Sequence, residues 1–492
     1  MDVGAFLVRL LQGGLGNLAA YLAAHVLLCL LPAFFIAGAL SALIPKEAIT
    51  RFLGRNAPKF VSYPAAALAG SVLAVCSCTI VPLFAGIYKK GAGLGPAITF
   101  LFFAPAANIL ALAYTGVTIG MDLAIARLAL SLTFGIGIGL IMALIFRKED
   151  ARHDEATTDP FAAKGKVPSQ NWVFVLLLVA LLLSGTLKLG VLTNSYAQVT
   201  LPGSGAAALQ DWLNWLVPFD ASKGGEGVSV QGLILIGLLI LIGVAAWLGL
   251  NHVDEKFNRW TWVTMGLIAL TLLVAGLGMQ ATAAGLEVRF PGKFFAVVLA
   301  LGALWYVAKR YLEPHQISEW LWESWRFVKQ IFPLLIVGVF AVGIIRQLVK
   351  PEWIEALAGR NTVLGNLAGV LFGVFMYFPT LVEVPIAKMF LGLGMHPGPL
   401  LAYLMADPEL SLQSILMISA IIGKLKAWVY VFWVALFSTM AGLIYGAWKD
   451  GTSLGWIAFY LAAFIVVLAL GLALVGRLNR RAEASAEAAS RS

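Results

Sequence analysis

Charge is scarce in this chain. Asp, Glu, Lys and Arg make up 12% of its 492 residues, about half the share usual in a soluble domain, and that scarcity excludes a water-soluble globular protein. Cysteine is scarcer still. Cys29, Cys76 and Cys78 are the whole supply, too few for a disulfide framework. No GxxxxGK[ST] run occurs, so ATP is not hydrolysed by this chain through a phosphate-binding loop. The opening MDVGAFLVRLLQGGLGN has no basic stretch ahead of its apolar residues, and no cleaved signal peptide is expected. Residues 193–228 are nearly free of Lys and Arg, the mark of a loop on the non-cytoplasmic side of a membrane.

Apolar length takes the place of charge. The chain is 60% hydrophobic, with a mean hydropathy of +0.89. Stretches of about 20 apolar residues recur, each long enough to cross a bilayer. The expected fold class is therefore an all-α polytopic membrane protein. Its net charge of +9 reads as the Lys/Arg excess of cytoplasmic loops rather than as a nucleic-acid footprint. The partners expected are the lipid bilayer and a small-molecule substrate, with no nucleic acid, no cofactor and no metal.

Spans are expected near 20–44, 122–146, 172–192, 229–250, 260–281, 294–312, 331–349, 397–421, 423–447 and 454–476, with interrupted segments at 62–88, 95–119 and 363–389. Residues 147–170 read as a polar linker. In HQISEWLWESWRFVKQ, the residues Ile317, Trp320, Leu321, Ser324, Trp325 and Val328 recur at helical spacing, the pattern of an amphipathic helix lying in the cytoplasmic interface. LQDWLNWLVPF, in the loop after residue 193, reads as an interfacial piece with aromatic anchors.

The chain also repeats itself. LPAFFIAGALSALIPKEAITRFLGRN at 31–56 is echoed by FPLLIVGVFAVGIIRQLVKPEWIEALAGRN at 332–361. Beyond that echo, Pro82, Pro96 and Pro105 match Pro385, Pro399 and Pro408 at one constant offset. This divides the chain into a first transmembrane repeat (1–192), a loop with connecting helices (193–312), a second repeat (313–476) and a disordered cytoplasmic tail (477–492). With the basic segments inside, 62–88 and 363–389 become re-entrant, and the two repeats take opposite orientations with about eleven crossings. Two inverted repeats with broken or re-entrant helices are the architecture of many secondary transporters.

The breaks carry the candidate chemistry. Proline removes a backbone donor and clashes with the preceding turn, and in hydrocarbon the freed groups need a protein partner or a water-lined cavity. Pro82, Pro96, Pro105, Pro379, Pro385, Pro399 and Pro408 are read as the helix-break positions. At the first break Cys76, Ser77, Cys78 and Thr79 stand in a row. Residues two apart diverge on a helix but converge where the chain turns. Two converging thiols suit a soft, thiophilic centre; a structural accident and a strained redox disulfide remain alternatives. The second repeat has acids where the first has thiols. Glu383, Asp407 and Glu409 lie in or beside apolar segments, where an uncompensated charge costs roughly 2.5–3.5 kcal/mol. They are the candidate proton-coupling residues, Glu383 foremost, because Asp407 could instead cap a helix starting after Pro408. Asn108 is either a helix cap or a substrate donor, and Tyr377 is a candidate for the opposite wall.

The run CSCTIVPLFAGIYKKGAGLGPAITFLFFAPAANI closely resembles the ArsP-type permease family, through its Cys-Ser-Cys followed by Pro, its Gly-Pro and its APAANI. The match is strong over about 30–146 and recurs in weaker form over about 331–447, while 172–312 is much less diagnostic. The resemblance implies an inner-membrane permease. Characterised members export trivalent organoarsenicals such as methylarsenite, and many members have no established substrate. On the family pattern, Cys76, Cys78, Pro82, Pro96, Pro105 and Asn108 are the residues carried over. A trivalent arsenical has two exchangeable oxygens and so asks for two thiols. The rival readings are a transmembrane thiol–disulfide oxidoreductase using the same pair, and a permease for another sulfur-containing or anionic solute.

Overall fold

The computed structural model describes residues 3–24, 28, 30–44, 46–55, 57–72, 77–157, 168–187, 189–202, 205–217, 227–253, 257–282, 285–348, 352–375, 380–453, 455–459, 461–462, 464–466 and 469. Cys29, Cys76, Tyr377, Pro379 and the expected tail at 477–492 lie outside these residues. So do the side chains of Ser77 and Cys78.

The first repeat is α1 (Val3–Ala24), α2 (Leu31–Leu43), α3 (Lys46–Leu53), α4 (Lys59–Val72), α5 (Ser77–Lys89), α6 (Leu94–Ala106), α7 (Ile109–Thr118), α8 (Met121–Ile145) and α9 (Arg147–Thr157). The connecting section is α10 (Ser169–Thr186), α11 (Gly190–Thr193), β1 (Ser195–Pro202), α12 (Gly205–Leu216), α13 (Val230–Gly249), α14 (Arg259–Gly276), β2 (Gly278–Thr282), β3 (Gly285–Pro291) and α15 (Gly292–Tyr311). The second repeat is α16 (Pro314–Leu348), α17 (Glu352–Ala358), α18 (Val363–Phe375), α19 (Thr380–Gly392), α20 (Pro397–Leu410), α21 (Leu412–Ile422) and α22 (Lys424–Lys449). Among the described residues eight helices are long and apolar enough to cross a membrane, or nine with the bent pair α20–α21 taken as one span. The short apolar helices α2 and α18, and most of α5, are pieces of interrupted segments. Apolar residues face both neighbours and lipid, as in any helix of a membrane bundle.

From α4 onward the repeats correspond element for element, and corresponding helices run in opposite directions. Asp122 at the start of α8 meets Lys449 at the end of α22 at 2.6 Å. Glu149, just beyond the end of α8, meets Lys426 at the start of α22 at 3.1 Å. Halfway along, Phe134 packs edge-on against Phe437 with ring centroids 4.9 Å apart. These two stand at the same offset as the paired prolines, so each touches its own counterpart. The first helices do likewise. Asn17 of α1 donates to the Val339 carbonyl near the end of α16 at 2.8 Å, while the Phe35 carbonyl of α2 accepts from Trp320 near its start at 2.9 Å. Equivalent helices that pack antiparallel across the membrane are the geometry of an inverted repeat. The exchange is reciprocal as well: α7 packs on α19, and α21 on α5.

The interrupted segments are hairpins. Gly93 donates to the Leu53 carbonyl at 2.8 Å, and Gly54 bridges to Ala92, so α4 and α5 leave from and return to one level. In the second repeat His396 donates to the Ala358 carbonyl at 2.9 Å, which closes α18 and α19 in the same way. Each pair leaves from and returns to the same level, the arrangement of a re-entrant segment. The legs straddle α6 and α20. Those two helices in turn lie close against α8 and α22, where a Cβ on Gly139 would sit 2.6 Å from the Gly95 carbonyl and one on Gly442 would sit 2.6 Å from the Gly398 carbonyl. Only glycine permits that approach.

Three features differ from expectation. The amphipathic stretch at 315–330 is not a separate interfacial helix. It is the first half of α16, and it buries Trp320, Leu321, Ser324 and Trp325, with Trp320 against Phe35 and Phe174. Its apolar stripe faces another helix rather than headgroups. The polar linker at 147–170 begins as α9, whose Asp150 side chain is buried and accepts from the Leu94 amide at 2.9 Å. The connecting section also holds a small antiparallel sheet in the order β1-β3-β2; β1 and β3 come from stretches read as connections, while β2 takes the end of the span expected at 260–281.

Candidate functional site

Each repeat holds a second break, inside a spanning helix. α6 ends at Ala106 and α7 begins at Ile109, about halfway along the apolar segment Leu94–Thr118. Its counterpart is the junction of α20 and α21, bent by 46°. A helix end leaves backbone donors and carbonyls without intrahelical partners, so the side chains at these two junctions decide what the breaks can do.

Polar side chains meet both ends. The Asn108 side chain accepts from the Ala111 amide at 2.9 Å and donates to the Pro105 carbonyl at 3.4 Å. Asn108 is thus the cap of α7, and its cap reading holds. Ser411, its counterpart, accepts from the Ser414 amide at 3.4 Å and caps α21. That overturns the cap reading of Asp407. α20 continues past Pro408 to Leu410, so Asp407 stands inside the helix, fully buried. The prolines sit beside the breaks rather than at them. Pro82, Pro105, Pro385 and Pro408 lie inside α5, α6, α19 and α20. Pro96 and Pro399 lie in the first turns of α6 and α20, where a missing amide costs nothing.

One side chain absent from the sequence reading organises the cluster. Arg127, in the first third of α8, is fully buried. Its Nε donates to the Ala106 carbonyl at 2.6 Å, its Nη1 to the Thr115 hydroxyl at 3.3 Å, and its Nη2 to Glu383 Oε1 at 2.5 Å. The first two contacts belong to its own repeat; the third crosses to the other. Asp407 lies beside Glu383. The position matching Arg127 in the second repeat is Tyr430, whose hydroxyl donates to Glu409 Oε2 at 2.5 Å. Glu409 is buried, and its Oε1 has no hydrogen-bond partner among the described residues, as is true of both amide atoms of buried Gln413 on α21. The signal for Arg127 was present in the sequence. A lone arginine in MDLAIARLALSLTFGIGIGLIMALI bears the same insertion cost that marked the acids.

One guanidinium, which keeps its proton, meets Glu383 directly, while buried Asp407 lies beside Glu383 and buried Glu409 meets Tyr430.

The thiols belong to the other hairpin. Cys76 lies outside the described residues; Ser77 and Cys78 start α5, and Thr79 is buried in its first turn. Lys388 of α19 is exposed, unlike the acids. Among the described residues no group of three His, Cys, Asp or Glu side chains could hold a metal ion.

This is a polytopic α-helical membrane protein of inverted-repeat architecture, with interrupted helices and buried ionisable groups at the breaks. The chain belongs to the ArsP_1 predicted permease family, which it matches over residues 13–447. It is 32% identical over 446 residues to the UPF0718 protein MJ0584 of Methanocaldococcus jannaschii, an alignment covering 91% of this chain and 98% of that one. It is 27% identical over 125 residues to the UPF0718 protein YraQ of Escherichia coli, covering 25% of this chain and 36% of that one. No solved structure matches it.

Proposed function

We propose that this permease is a proton-coupled secondary transporter of the inner membrane, with its C-terminus in the cytoplasm, and that it exports a small thiophilic solute, a trivalent organoarsenical being the best candidate. The observation that carries the transport reading is the placement of Glu383, Asp407, Glu409 and Arg127 at the breaks, fully or almost fully buried. Fixed charges at membrane depth mark substrate and ion pathways, and antiparallel repeats supply the two halves that rock around them. Cys76 and Cys78 bind the solute, alongside Ser77 and Thr79, with Tyr377 of the second repeat as a further contact. Asn108 is given over to its cap and shapes the site without donating to the solute.

The test is growth. In an arsenical-sensitive strain, replacing Cys76 and Cys78 together by Ser is expected to abolish resistance to methylarsenite at unchanged membrane expression. Undiminished resistance would remove the thiols from the mechanism. Thiols that cycle between reduced and oxidised forms during normal growth would favour a redox enzyme instead.

A further inference from the structure

Arg127 poses a question that the transport reading leaves open. An arginine does not give up its proton, so it cannot itself carry one, yet Arg127 is fully buried and makes three hydrogen bonds. Two of its three contacts, to Ala106 and Thr115, fix it to the first repeat. The third is the ion pair to Glu383, on the re-entrant hairpin of the second repeat. Its counterpart Tyr430 makes the matching contact, from the second long helix to the end of the second broken helix, but brings no fixed charge and, among the described residues, reaches no acid of the other repeat.

We propose that Arg127 is a tethered counter-cation that takes the place of the coupling proton on Glu383 whenever the carrier is empty. This rests on the secondary-transport reading above. A carrier that has released its proton holds an ionised carboxylate inside the membrane, and an unpaired charge there opposes the return movement. Arg127 neutralises that carboxylate from within. When a proton arrives from the aqueous side it bonds to a Glu383 oxygen, the ion pair separates, and Arg127 keeps Ala106 and Thr115. When the proton leaves to water on the far side, the pair re-forms. The guanidinium is a positive charge throughout, so the pair is neutral in the empty carrier; in the protonated carrier it holds the one positive charge that the proton brought, solvated by the Ala106 carbonyl and the Thr115 hydroxyl. The groups facing Glu383 agree with this. α8 brings Arg127, and α20 brings Asp407. α7, which also packs on α19, has Tyr114 as its one titratable side chain, and that residue is 36% exposed.

Two measurements on the full-length protein test this. In the first, thermal stability of the purified protein in detergent is followed against pH for Arg127→Gln, Arg127→Lys and the double variant Arg127→Gln with Glu383→Gln. A buried acid without its counter-ion is tolerated when protonated and costly when ionised. Arg127→Gln should therefore lose stability as pH rises and recover it as pH falls, and Glu383→Gln in the same chain should remove most of that pH dependence. Arg127→Lys should lie between wild type and Arg127→Gln. A deficit in Arg127→Gln that is the same at every pH and untouched by the second substitution would overturn the proposal. The second measurement uses methylarsenite in everted vesicles. Arg127→Gln should slow net uphill movement tenfold or more while sparing exchange of labelled for unlabelled solute, because only the empty carrier needs the internal cation. Equal loss of both would also overturn it. If wild type moves no methylarsenite, the substrate reading fails, and the stability measurement alone decides the role of Arg127.

Discussion

The two repeats share a backbone and differ in what they place on it. α4 to α8 match α18 to α22, with the same closed hairpin, the same interrupted span and the same close glycine contact. Where the second repeat has Glu383, Asp407 and Glu409, the first has Ile80, Ala104 and Ala106; where the first has Arg127, the second has Tyr430. The Cys-Ser-Cys run belongs to the first repeat, and the acids Glu383, Asp407 and Glu409 to the second. Cap positions remained polar in both, as Asn108 and Ser411, because every broken helix must satisfy its orphan amides. The lesson is a division of labour. The break is an architectural feature that both halves need, and the chemistry at the break was free to diverge.

Substitutions can break or sharpen that comparison. The largest effect is expected at Glu383, where the repeats touch through charge. Glu383→Gln should stop pH-driven uphill methylarsenite export in everted vesicles, while Ile80→Gln at the matching place should leave the pH dependence intact. Full export by Glu383→Gln would rule it out as the proton carrier. Next in size is the pair of long-helix donors. Arg127→Ala strands a buried carboxylate and should cost about 3–5 kcal/mol of stability. Tyr430→Phe removes one hydrogen bond to Glu409 and should cost about 1–3 kcal/mol. Thermal unfolding in detergent at neutral pH measures both, and equal losses would erase the distinction drawn between the two sites. The smallest effects belong to the caps. Asn108→Ala and Ser411→Ala should each cost about 1 kcal/mol, similar in both halves, and a large difference would mean that one of them does more than cap.

Much of this was legible in the chain. The matched prolines gave the repeat, the Lys/Arg distribution gave the opposed orientation, and the apolar runs gave the class. Glu383, Asp407 and Glu409 were legible too, because a charge inside an apolar run is costly wherever the run ends up. Other features were not. The 315–330 stripe has the same spacing whether it lies on headgroups or against α2, and only the neighbour decides. Asp407 before Pro408 reads as a cap until the helix is seen to continue to Leu410.

Sequence by itself determined that this chain lives in a membrane, that it is made of two related halves, and that its backbone is interrupted at matched points. These follow from composition, from proline's missing donor and from the cost of charge in lipid, none of which needs a neighbour to be specified. Tertiary structure alone decided which acid meets which base. Arg127 and Glu383 are 256 residues apart on helices of different halves, and only the antiparallel packing of those halves brings a guanidinium to that carboxylate. An ion pair is set by distance in space, and no local rule of sequence carries that distance.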